Sequence, residues 1–279
     1  MQKKLIAVAV AGALAAPAAM AEVRVGGSVR VGVAYDGSEM SVENVGSRVH
    51  FRSDSDLGNG QSVFVNYEMG INAAHGTFAG GSANRLSLVG MKGDWGQVSL
   101  GSQWSAMYNA TGTYMWAQNW IGGGAYANSG GQNRMTDSIY MSTSLGGLNL
   151  MGDLQMNTET GDDLDKATIA ANMSIGGLNL AAAWQDNPDG DVTTVAGALD
   201  IGGLGLSGGY ISQSEGVSGF NINANLFGVS LVYNDNDTGF SEFGGVYAMS
   251  LGGGASLNIE VADPSSGNTY GVGYLRYNF

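Results

Sequence analysis

The 279-residue chain has no cysteine, three prolines and two histidines. Without thiols it can build neither a disulfide framework nor a thiolate zinc site, so its stability must come from sheet closure and packing. Bases are scarce as well, 11 Lys and Arg against 24 Asp and Glu. Phosphate contacts need clustered cations, which excludes nucleic acid as a partner. The parts of an enzyme are also wanting. Only His50 and His75 could serve as acid–base groups near neutral pH. No nucleophile elbow, phosphate-cradling loop or Cys/His cluster is expected, and so no catalytic residue, metal site or cofactor. A barrel-borne lipase would need Ser and His on the lipid-facing rim, but alternation turns His50 inward and His75 falls in a loop.

Long apolar runs are almost absent. The exception is Leu5 to Ala16, preceded by Lys3 and Lys4 and followed by small residues ending Ala19-Met20-Ala21. That is the three-part pattern of a secretory signal peptide, 1–21, cleaved before Glu22. The run is too short for a membrane helix, and no other stretch approaches the roughly 20 apolar residues that a spanning helix requires. Helices and closed barrels are the two structures that satisfy every backbone group in lipid. A mature chain of 22–279 would carry nine bases and 24 acids, a formal charge of −15 (9 − 24).

What the chain does have is glycine, 47 in all, and alternation. In "EVRVGGSVRVGVAYD", Val23, Val25, Val29, Val31, Val33 and Tyr35 point one way, while Arg24, Ser28, Arg30 and Asp36 point the other. Similar runs recur near 47–55, 61–70, 83–92, 97–103, 135–145, 148–157 and 165–175. They continue near 178–187, 191–201, 204–213, 217–226, 229–235, 240–251, 255–263 and 269–279, about sixteen in total. Every second connection is short and Gly-bearing, such as "DLGNG", "GDWG" and Gly146-Gly147; those between are longer and more polar, such as "DNPDGD" and "NDNDTG". Short turns at one end and long loops at the other predict an all-β, transmembrane antiparallel β-barrel, 22–279, as a single domain. A soluble β-sandwich has no reason to keep that parity.

One connection breaks the rhythm. Residues 104–134 form a long, aromatic loop carrying Trp104, Tyr108, Tyr114, Trp116, Trp120 and Tyr126. Disordered segments generally lack such residues. This loop is expected to fold inward onto the wall.

Three stretches resemble the Gram-negative general porins, in particular the proteobacterial group with a Gly-rich, sixteen-stranded trimeric barrel. "SRVHFRSDSDLGNGQSVFVNYEMGIN" (47–72) is similar to that family's second strand, turn and third strand. "NRLSLVGMKGDWGQVSLGSQ" (84–103) resembles the hairpin leading into its constriction loop, and "YGVGYLRYNF" (270–279) its terminal strand. Together they cover about a fifth of the chain. The resemblance implies an outer-membrane homotrimer, exported through the periplasm, through which ions and small hydrophilic solutes diffuse passively. It also implies contact with outer-membrane lipid, lipopolysaccharide and the assembly machinery, the last through Phe279, Tyr277 and Leu275.

Such pores oppose a basic wall to an acidic loop. Here Arg30, Arg48, Arg52 and Arg85 are expected to line the lumen with His50 and Glu68, and Arg134, Asp137, Tyr114 and Trp116 to belong to the pore lining or constriction. The chain departs from the family's pattern in the loop, because 104–133 holds no Asp or Glu. Ser102 and Tyr140 also stand where relatives often have arginine. The acidic half of the field is expected from Glu68, Asp137 and other wall positions. With the large net negative charge, this predicts a weak preference for cations. A substrate-specific channel and a closed structural or adhesive barrel are the alternatives. The acids of the outer loops (Glu159, Asp162, Asp163, Asp165, Asp186, Asp189 and Asp191) lack the spacing of a calcium loop and predict a solvated surface.

Overall fold

The computed structural model describes residues 22–78, 84–116, 126, 129–156 and 164–279. The expected signal peptide lies outside them, as do Trp120, Glu159, Asp162 and Asp163. The first half of the wall comprises β1 (Arg24–Tyr35), β2 (Met40–Asn44), β3 (Arg48–Gly58), β4 (Gln61–Asn72), β5 (Thr77–Phe78), β6 (Asn84–Gly93), β7 (Gly96–Trp104), β8 (Arg134–Leu145) and β9 (Leu148–Gln155). The second half comprises β10 (Lys166–Ile175), β11 (Leu178–Asp186), β12 (Val192–Ile201), β13 (Leu204–Gln213), β14 (Ser218–Leu226), β15 (Val229–Asn236), β16 (Ser241–Gly252), β17 (Ala255–Pro264) and β18 (Tyr270–Asn278).

All pairings are antiparallel. β2 and β3 both run along β1, with a break between them, and act as one wall strand. β5 is a two-residue ladder on the end of β4. The wall therefore has the sixteen strands that the alternation predicts. β18 closes against β1 from Ser28↔Asn278 to Tyr35↔Gly271, so among the described wall strands the ring is closed and leaves no end strand to pair with another chain.

The alternation sets the two faces. Val29, Ile169, Trp184, Val195, Ile222 and Leu275 stand exposed on the outside. Thr168, Gln185, Thr194, Asn221, Asn223 and Asn234 are buried on the inside. This inversion of a soluble protein suits a wall with hydrocarbon outside and polar groups within. Short hairpins such as Leu145–Leu148 turn on two glycines of positive φ, Gly146 at 57° and Gly147 at 90°. That geometry matches the twist of the flanking strands and penalises any side chain.

The largest buried apolar cluster lies inside the ring. Ala106, Met107, Ala110 and Met115 pack there against Tyr140 and Ile211, and against Ala170, Ala183 and Ala196 of β10–β12. Small wall side chains let the backbone of the long connection approach the sheet. Its described part contains a π-helical turn, Tyr108–Gly112, and an α-turn, Thr113–Met115. One sequence detail needs correction here. Gly205-Leu206-Ser207-Gly208-Gly209 does spell G-x-S-x-G, contrary to expectation, but it runs straight along β13 with no strand-to-helix turn to expose the serine.

Candidate functional site

A row of cations crosses the inner face of the first strands. Arg30 on β1 is buried, and its Nε donates to Ser28 Oγ at 3.1 Å. Arg48 on β3 and Arg85 on β6 converge on Glu68 of β4, at 3.7 Å and 2.6 Å from Oε1. Glu68 is only 5% exposed, so both guanidiniums shield it from the lumen. His50 is the register partner of Glu68, and its ring covers Gly26, where any Cβ would lie 2.6 Å from Nε2.

Arg85 reaches this row by an irregularity. It shares strand parity with Val89 and Met91, which are exposed on the outside. Between the pairs Glu68↔Leu86 and Met69↔Asn84 the register slips, leaving Arg85 as the extra residue. A bulge of this kind re-aims one side chain; here it turns a guanidinium from lipid toward Glu68.

Arg134, at the start of β8, completes the row and meets the same indole as Arg85, that of Trp104. Its Cζ lies 5.4 Å from the indole centroid and that of Arg85 lies 5.9 Å away. Trp104 stacks on Tyr108 at 4.7 Å, so the root of the long connection is tied to the cations by its π faces. Arg52 stands apart. Its Nε donates to Asn66 Oδ1 at 3.3 Å, and no carboxylate pairs with it among the described residues.

The connection itself docks on the opposite arc. Asn221 Nδ2 donates to the carbonyl of Met115 at 2.6 Å and Asn223 Nδ2 to that of Tyr114 at 3.1 Å. Trp116 and Tyr114 pack half-buried on the same cluster. At the root, Ser105 N–H donates to Asn133 O at 3.0 Å and Ala106 N–H to Asp153 Oδ2. Burial pushes the phenol of Tyr126 well up, and its hydroxyl donates to Gln132 O at 3.1 Å. The structure thus sets Arg30, Arg48, Arg52, Arg85 and Arg134 on β1–β8, and Tyr114 and Trp116 across from them on β13 and β14.

Asp137 does not join the cations. It sits in an irregular stretch of β8 with φ at 51°, exposed, and among the described residues no ion pair involves it. Besides Glu68, the buried inward acids among the described residues are Asp153, Glu242 and Glu260. Tyr274 donates to Glu260 at 3.0 Å, and Tyr270 and Asn234 donate to Glu242 at 2.5 and 3.2 Å. The signal for Glu260 was in plain view: Ile259-Glu260-Val261 sets an acid between outward apolar residues, as Val29-Arg30-Val31 sets a base. Ser102 lies beside the arginine row, its Oγ 3.5 Å from Arg85 O, whereas Tyr140 is buried under the connection.

At the closing seam Phe279, Tyr277 and Leu275 stand exposed on the apolar face, with Arg276 on the other. Gly27 N–H donates to Phe279 O at 3.0 Å, and Phe279 N–H to Gly27 O at 3.2 Å.

A closed barrel, apolar outside and lined by polar and charged side chains within, defines a transmembrane β-barrel of the bacterial outer membrane. More narrowly, the chain belongs to the Gram-negative porins, whose family model matches residues 7–278. It is similar to the major outer membrane protein P.IB of Neisseria gonorrhoeae, 37% identical over 123 residues, which are 39% of this chain and 34% of that protein. The same protein of Neisseria meningitidis serogroup B is 36% identical over 36% of this chain and 33% of its own length. The matched stretch thus spans about a third of these relatives. Among solved structures, an anion-selective porin from Comamonas acidovorans superposes with a TM-score of 0.76 at 19% identity, covering 93% of this chain and all of that one. OmpF of Salmonella typhi, in complex with daunomycin, gives 0.72 at 13%, covering 93% of this chain and 98% of its own. OmpT of Vibrio cholerae, in its trimer form, gives 0.68 at 14%, covering 93% and 99%. At these identities the likeness is one of fold.

Proposed function

We propose that the chain forms a water-filled channel for passive diffusion of ions and small hydrophilic solutes, narrowed by residues 104–134 folded into its lumen. It is exported behind a cleaved leader, 1–21, and enters the outer membrane with Phe279, Tyr277 and Leu275 as its assembly address. It works there as a homotrimer among lipid and lipopolysaccharide, consistent with the trimer form of the Vibrio OmpT.

The preference we assign is for anions, against the expectation from net charge. One observation carries this: five arginines occupy one arc of the inner face, while the segment across from them has no acid. Glu68, the one acid within that row, is already shared by Arg48 and Arg85. Asp153, Glu242 and Glu260 are buried behind their hydrogen-bond donors. The excess of acids lies mainly in outer connections, such as Asp189, Asp191 and Glu215. Exposed charges are screened beyond about 8 Å at physiological salt, so the narrow zone decides over the mouth. Rings of side-chain charge set selectivity in such pores.

The test is the reversal potential in a KCl gradient across a planar bilayer. A sign showing chloride preference is expected, weakened when Arg48 and Arg85 are both replaced by Gln. A sign showing potassium preference in the unaltered protein overturns the assignment.

A further inference from the structure

Two contiguous hollows lie on the inner wall between the row of arginines and the short-turn end of the barrel. The first, about 250 Å³, is lined by Arg52, Asn66, Gln97, Trp104, Asn109 and Tyr140, among others. The second, about 460 Å³, shares Gln97 and Tyr140 with it and extends to Lys92, Asn149 and Asn172. Together they make one elongated trench under the root of the long connection.

Its chemistry is specific in two ways. At each end is a cation that no carboxylate pairs with among the described residues: Arg52, and Lys92, whose ammonium rests over Phe64 at 5.7 Å. Between them runs a band of side-chain amides. The amide of Gln97 makes no hydrogen bond among the described residues, and Asn149 and Asn172 bond only within the band and to Ser144.

We propose that this trench is a binding subsite for sugar acids, pyranose rings bearing a carboxylate. The guanidinium of Arg52 takes the carboxylate through its two terminal nitrogens, since its Nε is held by Asn66. The amide of Gln97, able to donate and accept, meets ring hydroxyls, and Asn109, whose Nδ2 donates to Trp104 O at 3.5 Å, keeps its Oδ1 to accept from them. The far end carries both Lys92 and Asp94, so the carboxylate is held at Arg52. A simple carboxylate would use only Arg52, and a neutral sugar would lack it; the site rewards the two features together. This inference rests on the channel proposed above and names a solute class for it.

The experiment uses the purified full-length protein in planar bilayers, with KCl current recorded against added D-glucuronate, methyl α-D-glucoside or acetate. Glucuronate is expected to reduce the current saturably, half-blocking at a concentration about tenfold below that of either comparison solute. Arg52→Gln is expected to erase the advantage over the glucoside, and Gln97→Ala to erode the advantage over acetate several-fold. A steady, anion-preferring current with equal block by acetate and glucuronate, or with no saturable block, overturns the subsite and leaves the channel standing. Loss of any steady current in the unaltered protein overturns both.

Discussion

Glu68 shows how much one side chain governs here. It is the carboxylate that Arg48 and Arg85 share, and it is nearly sealed from water. Glu68→Gln keeps the shape but removes the charge that offsets both guanidiniums. Reversal potentials are expected to move further toward chloride, by more at 0.1 M salt than at 1 M, where the screening length falls to about 3 Å. An unchanged potential at low salt would show that ions do not pass within reach of this group. The sequence allowed Arg30, Arg48 and Arg52 to be placed, because each alternates cleanly with outward apolar residues. Arg85 was assigned inward by the same logic, yet its own parity points outward, and only the bulge opposite Glu68 and Met69 brings it in. Bulges depend on pairing between strands, which a single chain read in order does not display. Asp137 illustrates the converse, an acid near the loop in sequence that stands exposed at a left-handed backbone position and makes no ion pair among the described residues.

For whole elements, the strands and the short turns were legible almost to the residue, since period-two alternation and paired glycines are local signals. How the long connection would sit was less so. Its length and aromatic content announced a packed segment, but the surface receiving it is assembled from Ala170, Ala183 and Ala196 on three strands, with Asn221 and Asn223 on a fourth. These asparagines hold two carbonyls that would otherwise be buried without donors. Replacing both with Ala is expected to cost about 1–3 kcal/mol for each carbonyl left unpaired. That is enough to loosen the segment while sixteen strands hold the wall. The expected reading is a noisier single-channel current, with little change in the temperature at which the barrel unfolds in detergent. Quiet, wild-type current from the double variant would mean that the apolar cluster alone fixes the segment.

At the scale of the molecule, stability and biogenesis meet at the seam between β1 and β18. Closure requires the end of the chain to lie against Gly27, where any side chain would strike the Phe279 ring at 2.9 Å and Arg48 O at 2.4 Å. The backbone bonds from Gly27 to Phe279 close the sheet whichever side chain stands at 279. The ring itself, half exposed on the apolar face near one rim, adds little to a finished barrel. A charged residue there costs only about 0–1 kcal/mol, against roughly 2–4 kcal/mol for Arg or Lys at the bilayer midplane. A role in stability and a role as an assembly address therefore predict different results for Phe279→Asp. If the ring is the address, mature barrel in the outer membrane should fall several-fold. Protein refolded from the same variant in detergent should melt close to the wild-type temperature. Normal assembly in cells would refute the address, and a large drop in melting temperature alongside poor assembly would assign the ring to the seam instead.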